Sequence, residues 1–335
     1  MRYEVTIGIP VYEVGDRMRQ SLESALAQTC PSVEFLLVDD AGKDGSMDIV
    51  RDLQRSHPRG ADIRIVAHEV NRGVAASRND VIREAQGEYL YFMDADDKIE
   101  EGTIALLLEH ARRRDADVVF GSYEKVELTG ERQRYCYPSL ALEGEDRLAT
   151  FAYERYGRIQ ASACNCLMRL SLLRENGLRF LDASFWEDFA FMNELVTCVG
   201  QAVLLPDVTY YYCCREGSLS HYQQRSQIAK DEVLRNAWVV GQLKKSNSRL
   251  REKPYYPNRC RMLAMTDFYI VRHVLKRRKN IVPRMTNGDL KAIMNHPASL
   301  REILSFRQQR LPNLLLYGLG RLPAWLMATV VSVIG

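Results

Sequence analysis

The 335-residue chain lacks the glycine fingerprints of two large nucleotide-binding classes. No Gly-x-Gly-x-x-Gly follows its first β-prone run and no Gly-Lys-Ser/Thr occurs anywhere, so a dinucleotide dehydrogenase and a P-loop enzyme are both unsupported. Also missing after the first strand is the Gly-rich, Arg- and Lys-bearing loop with which a sugar nucleotidylyltransferase attacks a triphosphate. The eight cysteines contain no Cys-x-x-Cys pair that would grip zinc. The N-terminus starts on a strand with no secretory signal, so reduced, core-filling thiols in the cytosol are expected. A membrane-spanning helix needs about 20 consecutive apolar residues. The apolar tail offers 14 charge-free residues from Leu322, too few to span.

What is present is unevenly distributed. Residues 225–310 contain 20 Lys/Arg against 6 Asp/Glu, whereas residues 1–224 contain 25 against 37. The basic part predicts an anionic neighbour: nucleic acid, an acidic membrane surface or a pyrophosphate-bearing substrate. No recognisable nucleic-acid motif accompanies the charge, so no nucleic-acid partner is expected.

Strand and helix signals alternate through the first 120 residues. Val5–Ile9, Phe35–Val38, Ile63–Val66, Tyr89–Met93 and Val118–Phe120 are β-prone runs. Between them lie helical patterns: Met18, Leu22, Ala25 and Leu26; then Ile49, Val50 and Leu53; then Val74–Ala85; then about Thr103 to Arg114. This order predicts an α/β fold with a mostly parallel sheet flanked by helices. Ligands of such sheets bind at the carboxyl ends of the strands, so Pro10-Val-Tyr-Glu13, Asp39-Asp40, His68 to Asn71 and Asp94 to Asp97 should converge on one crevice.

Two acidic segments carry the chemistry. The apolar Tyr89–Met93 run delivers Asp94, Asp96 and Asp97 to a sheet edge, and carboxylates so close together call for a hard cation such as Mg²⁺ or Mn²⁺. Read alone, the same stretch is more often a solvated acidic turn, and the motifs around it change that balance. In Phe185-Trp-Glu-Asp-Phe-Ala-Phe191, acids flanked by aromatics are partly desolvated, which raises a carboxyl pKa toward that of a general base at neutral pH.

Taken in order, the motifs Ile9-Pro-Val-Tyr12, Val38-Asp-Asp40, Asn71-Arg-Gly73 with Ser77-Arg-Asn79, Asp94-Ala-Asp-Asp97 and Glu187-Asp188 resemble the inverting, GT-A-fold glycosyltransferases of family 2, over roughly residues 3–221. The resemblance implies a GT-A domain over residues 1–223, with a nucleotide-binding half to 120 and an acceptor half beyond. In it, Pro10, Val11, Tyr12 and Glu13 border the nucleoside of a UDP-sugar donor. Asp39 accepts the imide N–H of uracil, and Asp40 is a second candidate for that task. Arg78 is a cation near the nucleotide, suited to phosphate or to the site carboxylates. Asp94 reaches ribose or metal, and Asp96 is the first-choice ligand for Mn²⁺ or Mg²⁺, with His221 completing the coordination. Arg215, Ser218 and Ser220 hold the diphosphate. Asp188 is the general base that deprotonates a saccharide hydroxyl, Glu187 orients it, and Trp186 and Asn165 contact the acceptor. Bacterial members with this plan often build surface polysaccharides on lipid-linked intermediates.

After about residue 224 the resemblance fades into a helical, basic appendage to residue 310 and an apolar tail over 311–335. That tail predicts an interfacial helix or shallow hairpin, with Trp325 and Tyr317 at headgroup level, on the inner face of the cell membrane. A helix pair packed on protein is the plainer alternative. The rival function is a non-catalytic module that binds sugar nucleotides or polyanions, against which the full set of Asp39, Asp96, Asp188 and Arg215 argues.

Overall fold

The computed structural model describes residues 3–155, 157–183, 186–215 and 226–334. The chain divides into two compact units: Met1–Leu148 with Gln160–Ser218, and Ala149–Ile159 with Leu219–Gly335.

In the first unit the expected alternation is realised. β1 (Tyr3–Val11), α1 (Arg17–Leu26), β2 (Val33–Asp39), α2 (Ser46–Ser56), β3 (Ile63–Ala67), α3 (Val74–Glu84) and β4 (Gly87–Phe92) follow one another. After them come β5 (Lys98–Ile99), α4 (Thr103–Arg114), β6 (Val118–Val126), β7 (Arg132–Tyr135), β8 (Leu140–Glu143), β9 (Cys166–Arg169), α6 (Leu170–Glu175), α7 (Glu187–Leu195) and β10 (Gln201–Cys213), while α5 (Arg147–Glu154) belongs mostly to the second unit. The strands form one sheet in the order β3-β2-β1-β4-β9-β6-β10-β5, with β7 on β6 and β8 on β10.

The sheet is mixed. β3, β2, β1 and β4 are parallel, but β9 enters antiparallel between β4 and β6. Central strands of such a sheet are covered on both faces and read as continuous apolar runs. β2 is buried from Val33 to Val38 and includes one charge, Glu34, which is satisfied by Thr6 Oγ1, Arg64 Nε and the Gln86 N–H. β1 lies where the strand order reverses, so the carboxyl ends of β1, β2 and β4 open a crevice there. Helix α3 lies against β1 because Gly8 has no side chain: a Cβ there would stand 2.3 Å from Val81 Cγ1. That close approach sets the height of α3 above the sheet.

The second unit is helical. Its elements are β11 (Ile228–Ala229), α8 (Lys230–Ser246), α9 (Tyr256–Lys276), β12 (Ile281–Val282), α10 (Asn287–Ile293), α11 (Leu300–Ser305), α12 (Arg310–Arg321) and α13 (Ala324–Ile334). Arg259 of α9 is wholly buried, with its guanidinium on the Tyr153 hydroxyl, Asn247 Oδ1 and Ser246 Oγ. The basic stretch and the apolar tail fold together in this unit, and the tail is two helices broken at Leu322-Pro323. Among the described residues no helix is long and apolar enough to cross a membrane.

Candidate active site

The centre of the site is one guanidinium. Arg78, on the face of α3, is almost fully buried and reaches three carboxylates: its Nη2 donates to Asp94 Oδ1 at 2.9 Å, and its Nη1 to Glu187 Oε1 at 2.9 Å and Asp188 Oδ1 at 2.6 Å. Phe180 lies under the guanidinium, 5.4 Å from its carbon, and is itself stacked on Phe191 of α7 at 4.1 Å. Asn79, next to Arg78, grips the Phe180 backbone through both amide atoms. Helix α3 thus carries both the clamp and the bond that positions its aromatic floor.

Glu187 and Asp188 occupy the first turn of α7, where the unpaired amides of a helix N-terminus favour negative charge. Trp186 precedes them in a left-handed conformation, φ 75°. Burial pushes the Asp188 carboxyl up to about 7, with Glu187 and Asp94 adding to the rise and Arg78 opposing it. Glu187 is raised too, mainly by burial, again against Arg78. For Glu187 and Asp188 the shared Arg78 does not offset burial.

The loop after β4 holds the other acids. Asp97 is buried and accepts hydrogen bonds from the Tyr210 hydroxyl at 2.6 Å and the Cys213 N–H at 2.7 Å, which fastens the loop to β10. The same hydroxyl accepts the Asp94 N–H at 3.2 Å. Asp96 pairs with Arg215 at 2.7 Å, and Arg215 also donates to the Glu13 carbonyl, linking this loop to the end of β1. Burial raises the Asp96 carboxyl, and the neighbouring Asp94 raises it further. Five carboxylates therefore face two guanidiniums in this cluster, and that excess of buried negative charge fits a hard divalent cation on oxygen donors. Asp94 and Asp96 are the residues that would hold such an ion if one is bound. Among the described residues no group of three or more His, Cys, Asp or Glu side chains is already arranged as a metal site.

At the end of β2 two adjacent aspartates diverge. Asp39, half-buried, accepts the Ala41 N–H at 3.1 Å and lies 4.0 Å from Arg51. Asp40 is buried and fully engaged: Oδ1 accepts the Arg72 N–H and faces His68 Nδ1 at 2.6 Å, while Oδ2 accepts the Gly73 N–H. It shapes the turn into α3, and with three contacts already made it is less open to a nucleobase than Asp39. A correction concerns Asn165. Its amide donates to the Gly121 and Ser122 carbonyls, and its Oδ1 accepts from Tyr91 and Thr209 hydroxyls, all in the buried sheet, so it braces β9 against β6 and does not face an acceptor.

Pro10 and Val11 end β1 in register with Val38 and Asp39, and Tyr12 is 44% exposed beyond them. Ser218, Ser220 and His221 lie outside the described residues. Sequence reasoning placed His68 at the crevice but missed its bridge from Asp40 to Asp80 of α3, which its second ring nitrogen faces at 2.7 Å, and it missed the bridging role of Tyr210. Neither residue carries a sign of its partners in the sequence.

Residues 6–177 match the family model described as Glycosyl transferase family 2. The succinoglycan biosynthesis protein ExoO of Rhizobium meliloti (strain 1021) is 25% identical over 314 residues, spanning 90% of this chain and 84% of that protein. Among solved structures, residues 1–349 of TarS from S. aureus in complex with UDP-GlcNAc align with TM-score 0.58 at 17% identity, over 96% of this chain and 90% of that one. The mannosyltransferase PcManGT from Pyrobaculum calidifontis, in complex with GDP-Man and Mn²⁺, aligns with TM-score 0.52 at 15% identity, over 99% and 88%. These two likenesses are of fold, the GT-A fold. The family match covers just over half of the residues, and the chain belongs to glycosyl transferase family 2: it is a glycosyltransferase.

Proposed function

We propose that the protein is an inverting, metal-dependent transferase that moves a sugar from a UDP donor to a saccharide hydroxyl. We place it in bacterial surface polysaccharide synthesis, acting on a lipid-linked acceptor at the inner face of the cell membrane. One observation carries the chemistry: Arg78 ties Asp94, an acid of the donor-side loop, to Glu187 and Asp188, whose raised carboxyls make a base. Donor and acceptor chemistry are thereby held within one buried cluster at the carboxyl ends of the sheet.

Asp188 accepts the proton of the acceptor hydroxyl as that oxygen attacks the anomeric carbon. The bond from that carbon to the UDP oxygen breaks on the opposite face, its electron pair leaves with the diphosphate, and configuration inverts. A carboxyl titrating near 7 is matched to this task, because it is ionised enough to accept a proton and basic enough to keep it. Arg78 holds the carboxylate in place, and Glu187 shares the same guanidinium nitrogen, which limits how far either can turn. Arg215, anchored on Asp96 and the Glu13 carbonyl, is the cation offered to the departing diphosphate. A divalent cation on Asp94 and Asp96, when bound, supplies further neutralisation of that charge. Asp39, at the end of β2, suits the imide N–H of uracil, a donor that cytosine lacks at that position.

The relatives support the biological setting in kind: ExoO is a succinoglycan biosynthesis protein and TarS was solved with UDP-GlcNAc. PcManGT, solved with GDP-Man, makes the base the property to test. Calorimetric titration with UDP, CDP and GDP, each with Mn²⁺ and with EDTA, tests the donor. Selective, metal-dependent UDP binding is expected. Binding of GDP in preference to UDP, or binding unaffected by EDTA, would sink the donor or the metal part respectively. An NMR determination of the product's anomeric configuration tests inversion.

A further inference from the structure

Helix α12 is inside out. Its only buried residue is polar Asn313, which donates to the Pro257 and Gln309 carbonyls and accepts from His296. Two of its five leucines point the other way: Leu311 is 66% and Leu315 65% exposed, whereas Leu314, Leu316 and Leu319 are partly covered. These two are four residues apart and share one face. The preceding α11 repeats the pattern, with Leu300 and Leu304 exposed and Ile303 turned inward. An amphipathic helix that buries its amide and exposes its leucines gains nothing in water from that arrangement, so the apolar face calls for a partner.

Charge says which partner. From Ile303 to the last residue of the sequence there is no Asp or Glu, while Arg307, Arg310 and Arg321 are all present. Arg310 and Arg321 stand at the two ends of α12, about 16 Å apart along its axis. Both are exposed, and Arg321 lies over the Tyr317 ring, 4.9 Å from its centroid. The one carboxylate on these two helices, Glu302 of α11, is taken up by Arg251 and Ser299, and exposed leucines framed by arginines with an aromatic at one end match a surface that is apolar within and negative at its rim. A bilayer with acidic headgroups has that profile.

We propose that the outer faces of α11 and α12 form a docking surface for a bilayer containing anionic lipid. The proposal deepens the membrane-peripheral reading above and rests on it for its location. It narrows the segment 311–335 read from the sequence: Leu311 and Leu315 of α12 enter the interface with the arginines at the phosphates, and in α13 Met327, Ala328 and Val331 are buried while Trp325, Val333 and Ile334 are exposed.

Co-sedimentation of the full chain with vesicles of phosphatidylcholine, alone or mixed with phosphatidylglycerol, tests it. Partition onto the mixed vesicles is expected, weakened by salt, and about tenfold poorer on phosphatidylcholine alone. Leu311→Gln with Leu315→Gln should weaken partition by about tenfold or more. If that variant misfolds, Arg307→Gln with Arg310→Gln, both exposed, decides the matter, and unchanged binding overturns the proposal. It is also overturned if the unaltered chain ignores both vesicles, or if light scattering shows a dimer that the leucine substitutions break, which assigns the face to a second copy. UDP calorimetry without vesicles keeps the two readings apart: lost vesicle binding with intact UDP binding refutes the docking face alone, and the reverse refutes the donor alone.

Discussion

Replacing Arg78 with methionine, which keeps much of the volume and removes the charge, is the sharpest test of the cluster. The guanidinium makes three charge-assisted hydrogen bonds of 2.6 to 2.9 Å from a side chain that is 4% exposed. Taking away one partner of a buried ion pair costs about 3–5 kcal/mol, because the surviving charge remains desolvated. Here three carboxylates survive, but they escape part of the cost by taking up protons. Arg78 is what lowers the Asp188 carboxyl against burial, so its loss moves that carboxyl above about 7. Groups whose folded pKa lies above the unfolded value bind more protons in the native state, and their contribution to stability falls as pH rises. The Arg78→Met protein should therefore approach the unaltered protein in stability at pH 5 and fall behind at pH 8, by roughly 10 °C in Tm at about 3–5 kcal/mol. Transfer activity at pH 7 should drop by about a hundredfold or more, since the base is protonated and unheld. Thermal melts from pH 5 to pH 8, with initial rates alongside, measure both. A stability deficit that does not change with pH, or activity within a few-fold of the unaltered enzyme at pH 7, would refute the clamp.

Asp188→Asn should abolish transfer, by about a thousandfold, and leave UDP affinity nearly intact in calorimetry, since an amide keeps the shape and loses the basicity. For the unaltered enzyme, kcat/KM should fall as pH drops below about 7, the carboxyl being inactive when protonated, and a profile flat down to pH 5 would show that another group is the base. Asp96→Ala should weaken UDP binding in Mn²⁺ and leave the residual binding in EDTA unchanged; equal loss under both conditions would move the metal elsewhere. Asn165→Ala should cost about 2–3 kcal/mol in denaturant melts, because two strand carbonyls lose their donor in the buried sheet, with no change in acceptor KM.

The alternation of short apolar runs with helical periodicity was enough to establish an α/β fold with a mostly parallel sheet, since burial on both faces leaves a composition that single residues report. The two acidic segments were legible for a related reason: charges next to apolar or aromatic runs are costly, so their positions stand out. Antiparallel β9 was not legible, because Cys166–Arg169 carries no mark of direction or neighbour. Nor was the meeting of the two acidic segments. Arg78 and Glu187 are 109 residues apart, and a guanidinium is drawn as readily to phosphate as to carboxylate until the packing of α3 on β1 aims it. Asp39 and Asp40 read alike in sequence, yet successive strand positions face opposite ways, and one ends half-buried at the crevice while the other is consumed by the turn into α3. The same limit governs the tail. Its composition announced an apolar interfacial helix or hairpin, with a packed helix pair as the alternative, but which side faces water depends on what the neighbouring helices accept, and here they accept the amide of Asn313 and leave Leu311 and Leu315 of α12 outside. Local energetics are written residue by residue; the choice of partner is made only when distant segments compete for the same space.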